Sequence, residues 1–315
     1  MDQGTEEYAS ARNRRVGSRY CRRIQEGLNR TLESTENIVS PSACRFERSQ
    51  DIKVAYEDDH IIVVDKPAGV LCVSGKDGAA SLADAVCEGF GCEMGRADMM
   101  VVHRLGMDTS GLVVFAKTMD AVRGMNAVFR TRKIERKYEA LVCGHVEKDE
   151  GMINLPLMRD YEFPPFMRIS TDEHQKALVD LDAAEVGKKL LESPKESLTK
   201  YEVVAREEFE GSPVSRVALT SISGRTHQLN VHLAAFGHPI VGDSTYGING
   251  DAAPNGGLTD AELDSLIGNG SRADASLQQS IADAAQGKSC VHAKSLKFRH
   301  PITKEDIELS SDAPF

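Results

Sequence analysis

Met100-Val101-Val102-His103-Arg104-Leu105-Gly106-Met107-Asp108-Thr109-Ser110-Gly111-Leu112-Val113-Val114-Phe115-Ala116 is the stretch on which the fold turns. Two short apolar, β-branched runs, Met100 to Val102 and Leu112 to Ala116, bracket a polar centre. Runs of this length and composition form strands, and Ser110-Gly111 supplies a bend between them. Arg104 to Thr109 is therefore expected on a loop at a strand end, where a rigid sheet holds functional groups toward solvent. Within that loop stand one cation, Arg104, and one carboxylate, Asp108, with Gly106 between them.

Working outward, Ile61-Ile62-Val63-Val64 reads as a buried strand that ends in the turn Lys66-Pro67-Ala68-Gly69. Ser81 and Asp84 have capping-box spacing ahead of Ala85, Val86 and Phe90, which predicts a short helix. Ala121, Val122, Met125, Val128 and Phe129 lie on one helical face. The basic run Phe129-Arg130-Thr131-Arg132-Lys133-Ile134-Glu135-Arg136-Lys137 falls at that helix's end. Tyr138 to Val146 and Ser215 to Ile222 are strand-like. Leu229, Leu233 and Phe236 mark a core-facing helix that begins after Gly224 and stops at Gly237. Residues 1–50 lack a hydrophobic period and read as a basic, mobile extension, or an RNA-touching arm, around Arg12-Asn13-Arg14-Arg15. Residues 51–315 form the structured domain. Two segments read as insertions: 182–200, a helix plus a polar loop, and 248–288, rich in Gly, Ala, Asn and Asp and expected to be largely mobile. No internal repeat is present.

The chain has 315 residues, 41% of them hydrophobic, enough to bury one large core or two modest ones. Its seven cysteines are scattered without a Cys-x-x-Cys pair, which argues against a disulfide framework or a zinc knuckle and for a reducing, intracellular compartment. No apolar stretch reaches the ~20 residues that span a bilayer, so no membrane partner is expected. The net charge of −10 speaks against nucleic acid as a partner. Its distribution speaks the other way. Residues 251–288 hold six acids against Arg272 and Lys288, whereas the 129–137 run has five basic residues and one acid, so a local positive face can coexist with an acidic average.

The block His103-Arg104-Leu105-Gly106-x-Asp108-Thr109-Ser110-Gly111-Leu112 resembles the His-Arg-Leu-Asp-x-x-Thr-Ser-Gly-Leu signature of the RluA-type pseudouridine synthases, with Gly106 where that family has its catalytic Asp. Ser223-Gly224-Arg225-Thr226-His227-Gln228-Leu229-Asn230-Val231-His232, continuing through Gly237-His238-Pro239-Ile240 to Asp243, resembles a second block of the same family, in which Asn230 replaces a usual Arg. Asp65-Lys66-Pro67-Ala68-Gly69, Arg136-Lys137-Tyr138-Glu139-Ala140 and Val291-His292-Ala293 resemble three further elements, in the family's order. The resemblance implies an α+β fold, with a long, bent, mainly antiparallel sheet flanked by helices and crossed by a cleft. It implies RNA, ribosomal or transfer, as partner and substrate, with no cofactor and no metal; the sequence does not fix the oligomeric state, and a monomer is favoured.

Pseudouridine forms when the bond from ribose to the uracil nitrogen breaks, the base turns, and carbon 5 takes the nitrogen's place. A carboxylate has to act beside the anomeric carbon as nucleophile or base, as on other glycosidic bonds. The resemblance gives that position to residue 106, the ion-pairing partner role to Arg225, and base packing to Tyr138. An extruded uridine costs a few kcal/mol to unstack, and Arg104 is expected to prop the vacated space. Lys66, Arg130, Arg132 and Lys133 are the expected substrate contacts. Two readings follow from Gly106: a synthase in which Asp108 or a variant site does the work, or a non-catalytic RNA-binding relative. Asp108 stands two residues away, ~6.5 Å along an extended chain, and reads more simply as a turn residue with a structural job.

Other chemistries fare poorly. Asp108-Thr109-Ser110-Gly111 lacks the Asp-Thr-Gly spacing and the second copy of an aspartic protease. Ser110 with His103 lacks a nucleophile elbow. His227, His232, Cys290 and His292 match no metal-ligand spacing and read as satisfied core residues.

Overall fold

The computed structural model describes residues 52–75, 79–179, 192–267 and 272–315. The basic extension 1–50 and residues 182–191 of the first expected insertion lie outside the described residues. Ile61, Ile62, Val63 and Val64 are all fully buried, because strand β2 (Ile61–Lys66) is covered on both faces. The period-two geometry of a strand sorts them. Ile62 and Val64 join one core with Val113, Phe115, Met100 and helix α1 (Leu82–Phe90), while Ile61 and Val63 join another with Leu112, Val114 and helix α2 (Met119–Arg130). The expected capping box holds α1, since Ser81 Oγ accepts from Asp84 N and the Asp84 carboxylate accepts from Ser81 N. Thr118 caps α2 in the same sense.

Strand β1 (Lys53–Glu57) pairs β2, which pairs β3 (Ser110–Ala116) with Ile62 opposite Phe115 and Val64 opposite Val113. The remaining strands are β4 (Ile134–Cys143), β5 (Glu150–Asn154), β6 (Leu157–Arg159), β7 (Met167–Ile169), β8 (Leu198–Phe209), β9 (Ser212–Ser221), β10 (Val291–Arg299) and β11 (Asp306–Ser310). Nine strands make one sheet, in the order β1-β2-β3-β10-β4-β9-β8-β5 with β11 beside β10; β6 and β7 pair separately. All pairings are antiparallel except β3 with β10, where His292 aligns with Ser110 and Ala293 with Gly111. Gly111 is obligatory there: φ is +108° and a Cβ would stand 2.4 Å from the Ala293 carbonyl oxygen.

The insertions differ from expectation. Strand β8 begins at Leu198, so the end of the 182–200 segment is sheet and not loop. Residues 248–288 carry helices α5 (Asp260–Ile267) and α6 (Ala275–Ala285) and bury apolar side chains. Ala252, Leu258 and Leu263 pack with Val231 and Ala235 of helix α4 (Gln228–Ala235), and Ile281 and Ala285 pack with Leu141 and Val214. The low aromatic content concealed this order, because the contacts are made by small and aliphatic residues. Helix α3 (Asp172–Val179) follows β7. No helix among the described residues is long and apolar enough to cross a membrane.

Candidate active site

Lys66 ends β2 and is wholly buried. Its Nζ donates to three backbone carbonyls, of Pro67 at 2.9 Å, Val70 at 2.8 Å and Met107 at 2.7 Å. An ammonium has three hydrogens, so none is left for a phosphate. This corrects the expectation of a substrate contact: Lys66 is an internal cross-link that fixes the 104–109 loop to the turn after β2. Gly69 N donates to the same Met107 carbonyl, and Thr109 N to that of Gly106, which closes the loop into a turn. Burial pulls the Lys66 pKa down to about 8, against the opposing pull of Cys72 and Asp108.

Arg104, Gly106 and Met107 stand exposed on this fixed loop. Asp108 is half-buried. Burial pushes its carboxyl pKa up, Lys66 opposes, and the Asp243 carboxylate adds to the rise. No hydrogen bond reaches its carboxylate among the described residues, so it is not the bonded turn residue the sequence suggested.

His103 is structural. Its Nε2 accepts from Val114 N at 3.0 Å and its ring lies 4.8 Å from that of Phe129, while burial and then Arg136 drive its pKa down to about 3. Ser110 instead meets His292, 2.9 Å from Nδ1. Ser311 Oγ gives its hydrogen to Asp65 at 2.6 Å, so it can only accept from His292 Nε2, and Ser110 in turn donates to Nδ1. This buried relay ties β2, β3 and β10 together, and the burial of Ser110 and His292 keeps it from any substrate.

Tyr138, on β4, is buried, and its hydroxyl has no hydrogen-bond partner among the described residues. Burial raises its pKa while Arg136 works against the rise, so the phenol keeps its proton. Arg136 lies two residues earlier, on the same strand face. It lines a cavity of about 290 Å³ together with Arg130, Arg132 and Arg225. Arg225 thus gathers with the basic run; the charges acting on Asp108 are Lys66 and Asp243. Lys133 is exposed and lies outside the cavity. Arg136 and Asp243 are the two groups sequence reasoning did not single out. The period-two spacing from Tyr138 could have found the first.

The Ser223 block is chiefly a latch. Gln228 Oε1 accepts from Ser223 Oγ and Arg225 N, and Nε2 donates to Leu198 O and Thr199 Oγ1, so a buried amide is fully satisfied. Thr199 passes its own hydrogen to His232 Nδ1, whose Nε2 donates to Leu155 O. Burial holds this imidazole neutral, its pKa down to about 4. His227 starts α4 at a left-handed φ of 51°, and its Nδ1 shares a hydrogen bond with the Tyr246 hydroxyl at 2.8 Å. Asn230 donates to Asp243 Oδ2 at 2.8 Å, and Asp243 Oδ1 accepts from Thr245 N and Tyr246 N. His227, His232, Cys290 and His292 each have separate partners, and among the described residues no cluster of three ligating side chains could hold a metal.

A family model described as RNA pseudouridylate synthase matches residues 60–235. The chain is 35% identical over 267 residues to the dual-specificity RNA pseudouridine synthase RluA of Pasteurella multocida, covering 84% of this chain and 94% of that one. It is 39% identical over 194 residues to the protein of the same name from Vibrio parahaemolyticus, covering 61% and 68%. Among solved structures, human RNA Pseudouridylate Synthase Domain Containing 1 shares the fold with a TM-score of 0.55 at 23% identity, over 85% of each chain. The chain belongs to the RNA pseudouridylate synthase family.

Proposed function

We propose that this chain, as a monomer, binds a folded ribosomal or transfer RNA and holds one extruded uridine between the 104–109 loop and Tyr138 for conversion to pseudouridine. The observation that carries this reading is the loop itself. Lys66 ties it to the turn after β2, with one donor on the Met107 carbonyl and two on those of Pro67 and Val70, which is the preorganisation that base chemistry needs and a tolerant binding surface does not. Arg104 stands exposed to prop the space the uridine leaves. The unspent Tyr138 phenol offers a packing surface and a proton-transfer group beside the base. Arg130, Arg132 and Lys133 supply counter-charge for phosphates.

What the loop lacks is a carboxylate at 106. Its single carboxylate, Asp108, faces Lys66 and Asp243. Gly106 therefore supports a second reading, in which the chain grips RNA without converting it. Mapping of pseudouridine in total tRNA and rRNA after incubation with the native chain, Gly106→Asp and Asp108→Asn separates the two. Conversion by the native chain that Asp108→Asn abolishes assigns the chemistry to Asp108. Conversion only by Gly106→Asp identifies an intact site lacking its nucleophile. RNA binding with no conversion by any variant leaves the binder, and the absence of RNA binding overturns both.

A further inference from the structure

Four guanidinium groups, those of Arg130, Arg132, Arg136 and Arg225, line one cavity of about 290 Å³, and no carboxylate lines it among the described residues. Elsewhere several of the chain's arginines pair with carboxylates. Arg96, Arg206 and Arg216 each contact a carboxylate at 2.7 or 2.8 Å. In the cavity, Arg225 Nε reaches only the Glu196 carbonyl at 3.3 Å and Arg136 Nη2 only that of Ser221 at 3.4 Å. Arg136 Nε is sealed from solvent with no hydrogen-bond partner among the described residues, and an unsatisfied buried charged donor of this kind is costly. The side chains of Arg130 and Arg132 make no hydrogen bond or ion pair among the described residues.

The cavity is also built. Arg136 lies over the Phe129 ring at 5.9 Å, and that ring is backed by His103. Gly224 makes room for the guanidinium: a Cβ there would stand 2.3 Å from Arg136 Nη2. Arg132 closes α2 at a left-handed φ of 56°, which a glycine adopts more readily than an arginine; its N donates to Phe129 O and Lys133 N to Val128 O, the paired bonds of a helix-ending turn.

We infer that this cavity is a phosphate subsite, in which the Arg136 and Arg225 guanidiniums take the oxygens of one RNA phosphodiester outside the uridine position. This rests on the RNA-binding reading above and deepens it: Arg225 becomes a phosphate ligand and not the counter-ion of residue 106. Planar guanidinium forks match phosphate oxygens in pairs, and the apolar walls of Ile134 and Ile222 weaken the competition from water.

Pyrophosphate is the probe, used with the full chain and without RNA. Titration calorimetry is expected to show saturable binding that weakens about tenfold or more in Arg136→Gln, the loss expected when a charge-assisted pair is removed. Arg132→Gly relieves the strained φ, so it is expected to fold at least as stably as the native chain and still bind pyrophosphate less tightly. Ile222→Glu, at an exposed rim position, places a repelling carboxylate there without touching the core. Arg206→Gln, remote from the cavity, leaves the affinity unchanged. A second arm measures RNA binding with and without saturating pyrophosphate, and competition is expected. Non-saturable binding, or equal affinity in Arg136→Gln and Ile222→Glu, overturns the site; pyrophosphate that binds through Arg136 without displacing RNA overturns the phosphodiester as its ligand. Pyrophosphate binding by a chain that binds no RNA counts against the proposed function and leaves the anion site standing.

Discussion

An aspartate side chain at position 106 would meet little resistance. The nearest atom outside the adjoining residues is Thr109 Oγ1, 3.4 Å from the added Cβ, and the backbone there is outside the left-handed region. Gly106→Asp is therefore expected to change folding stability by under about 1 kcal/mol, while raising pseudouridine formation by about 10³-fold or more, the order of effect that follows from supplying a missing nucleophile. Single-turnover conversion of tRNA and rRNA measures the second quantity, and equal rates in the two proteins would mean that residue 106 is not where the carboxylate acts. The new charge would join Asp108 and Asp243. Asn230 offers Asp243 only an amide hydrogen bond, so adding Asn230→Arg should supply a second cation and make the double variant faster than Gly106→Asp alone. Asp108 itself is held with a raised pKa, so its ionised form costs the folded state stability as pH rises past its ordinary value. Asp108→Asn should accordingly stabilise the protein at pH 7, by under about 1 kcal/mol once solvent screening is allowed for, with the difference vanishing near pH 3. Urea unfolding at both pH values checks the sign.

At the scale of elements, the loop and α4 depend on buried polar contacts that the sequence reveals only in part. Lys66→Met removes the ammonium bonds to the Pro67, Val70 and Met107 carbonyls, of which only that of Met107 keeps a second donor, Gly69 N; it is expected to cost about 2–4 kcal/mol in denaturant unfolding, and to weaken RNA binding although the ammonium has no hydrogen left for a phosphate. A change in RNA affinity without a loss of stability would restore Lys66 as a substrate contact. His232 gives α4 an acid limit. Its folded pKa of about 4 lies below the usual 6.5, so the unfolded chain takes up the proton first and stability is lost as pH falls from 6.5 toward 4. The loss is about 3 kcal/mol at pH 4, at about 1.4 kcal/mol per unit, and His232→Gln should show a shallower decline. Periodicity was enough to read β2, β3, α1 and α2, because their apolar spacing follows directly from which face is buried. It could not assign Lys66, whose role is set by a carbonyl forty-one positions away. Nor could it separate Arg225 from residue 106, because both lie in signature blocks and only the folded chain shows which cations gather.

For the whole molecule, a net charge of −10 and an RNA partner are reconciled by segregation. Binding to RNA should fall steeply with salt, because each neutralised phosphate releases a counterion. Replacing Arg130, Arg132 and Lys133 together by Ala should reduce the log–log salt slope by roughly two to three; an unchanged slope would move the binding face away from the α2–β4 junction. The order of the 248–288 segment has a cause of the same scale. Low aromatic content signals disorder in an isolated segment, yet Leu258, Leu263 and Ile281 find cores already built by α4, β4 and β9.

The parallel contact of β10 with β3 bears on how the molecule is made. β10 occupies the gap between β3 and β4, yet it leaves the ribosome long after both. Until Val291 to Arg299 emerges, the nascent sheet exists as two halves with open hydrogen-bonding edges at its centre, the places most prone to wrong pairing. Closure by so distant a segment makes for slow, late folding. A chain stalled before residue 291 would present β3 and β4 to chaperones or to other nascent chains, with the loop bearing Gly106 unanchored on its β10 side.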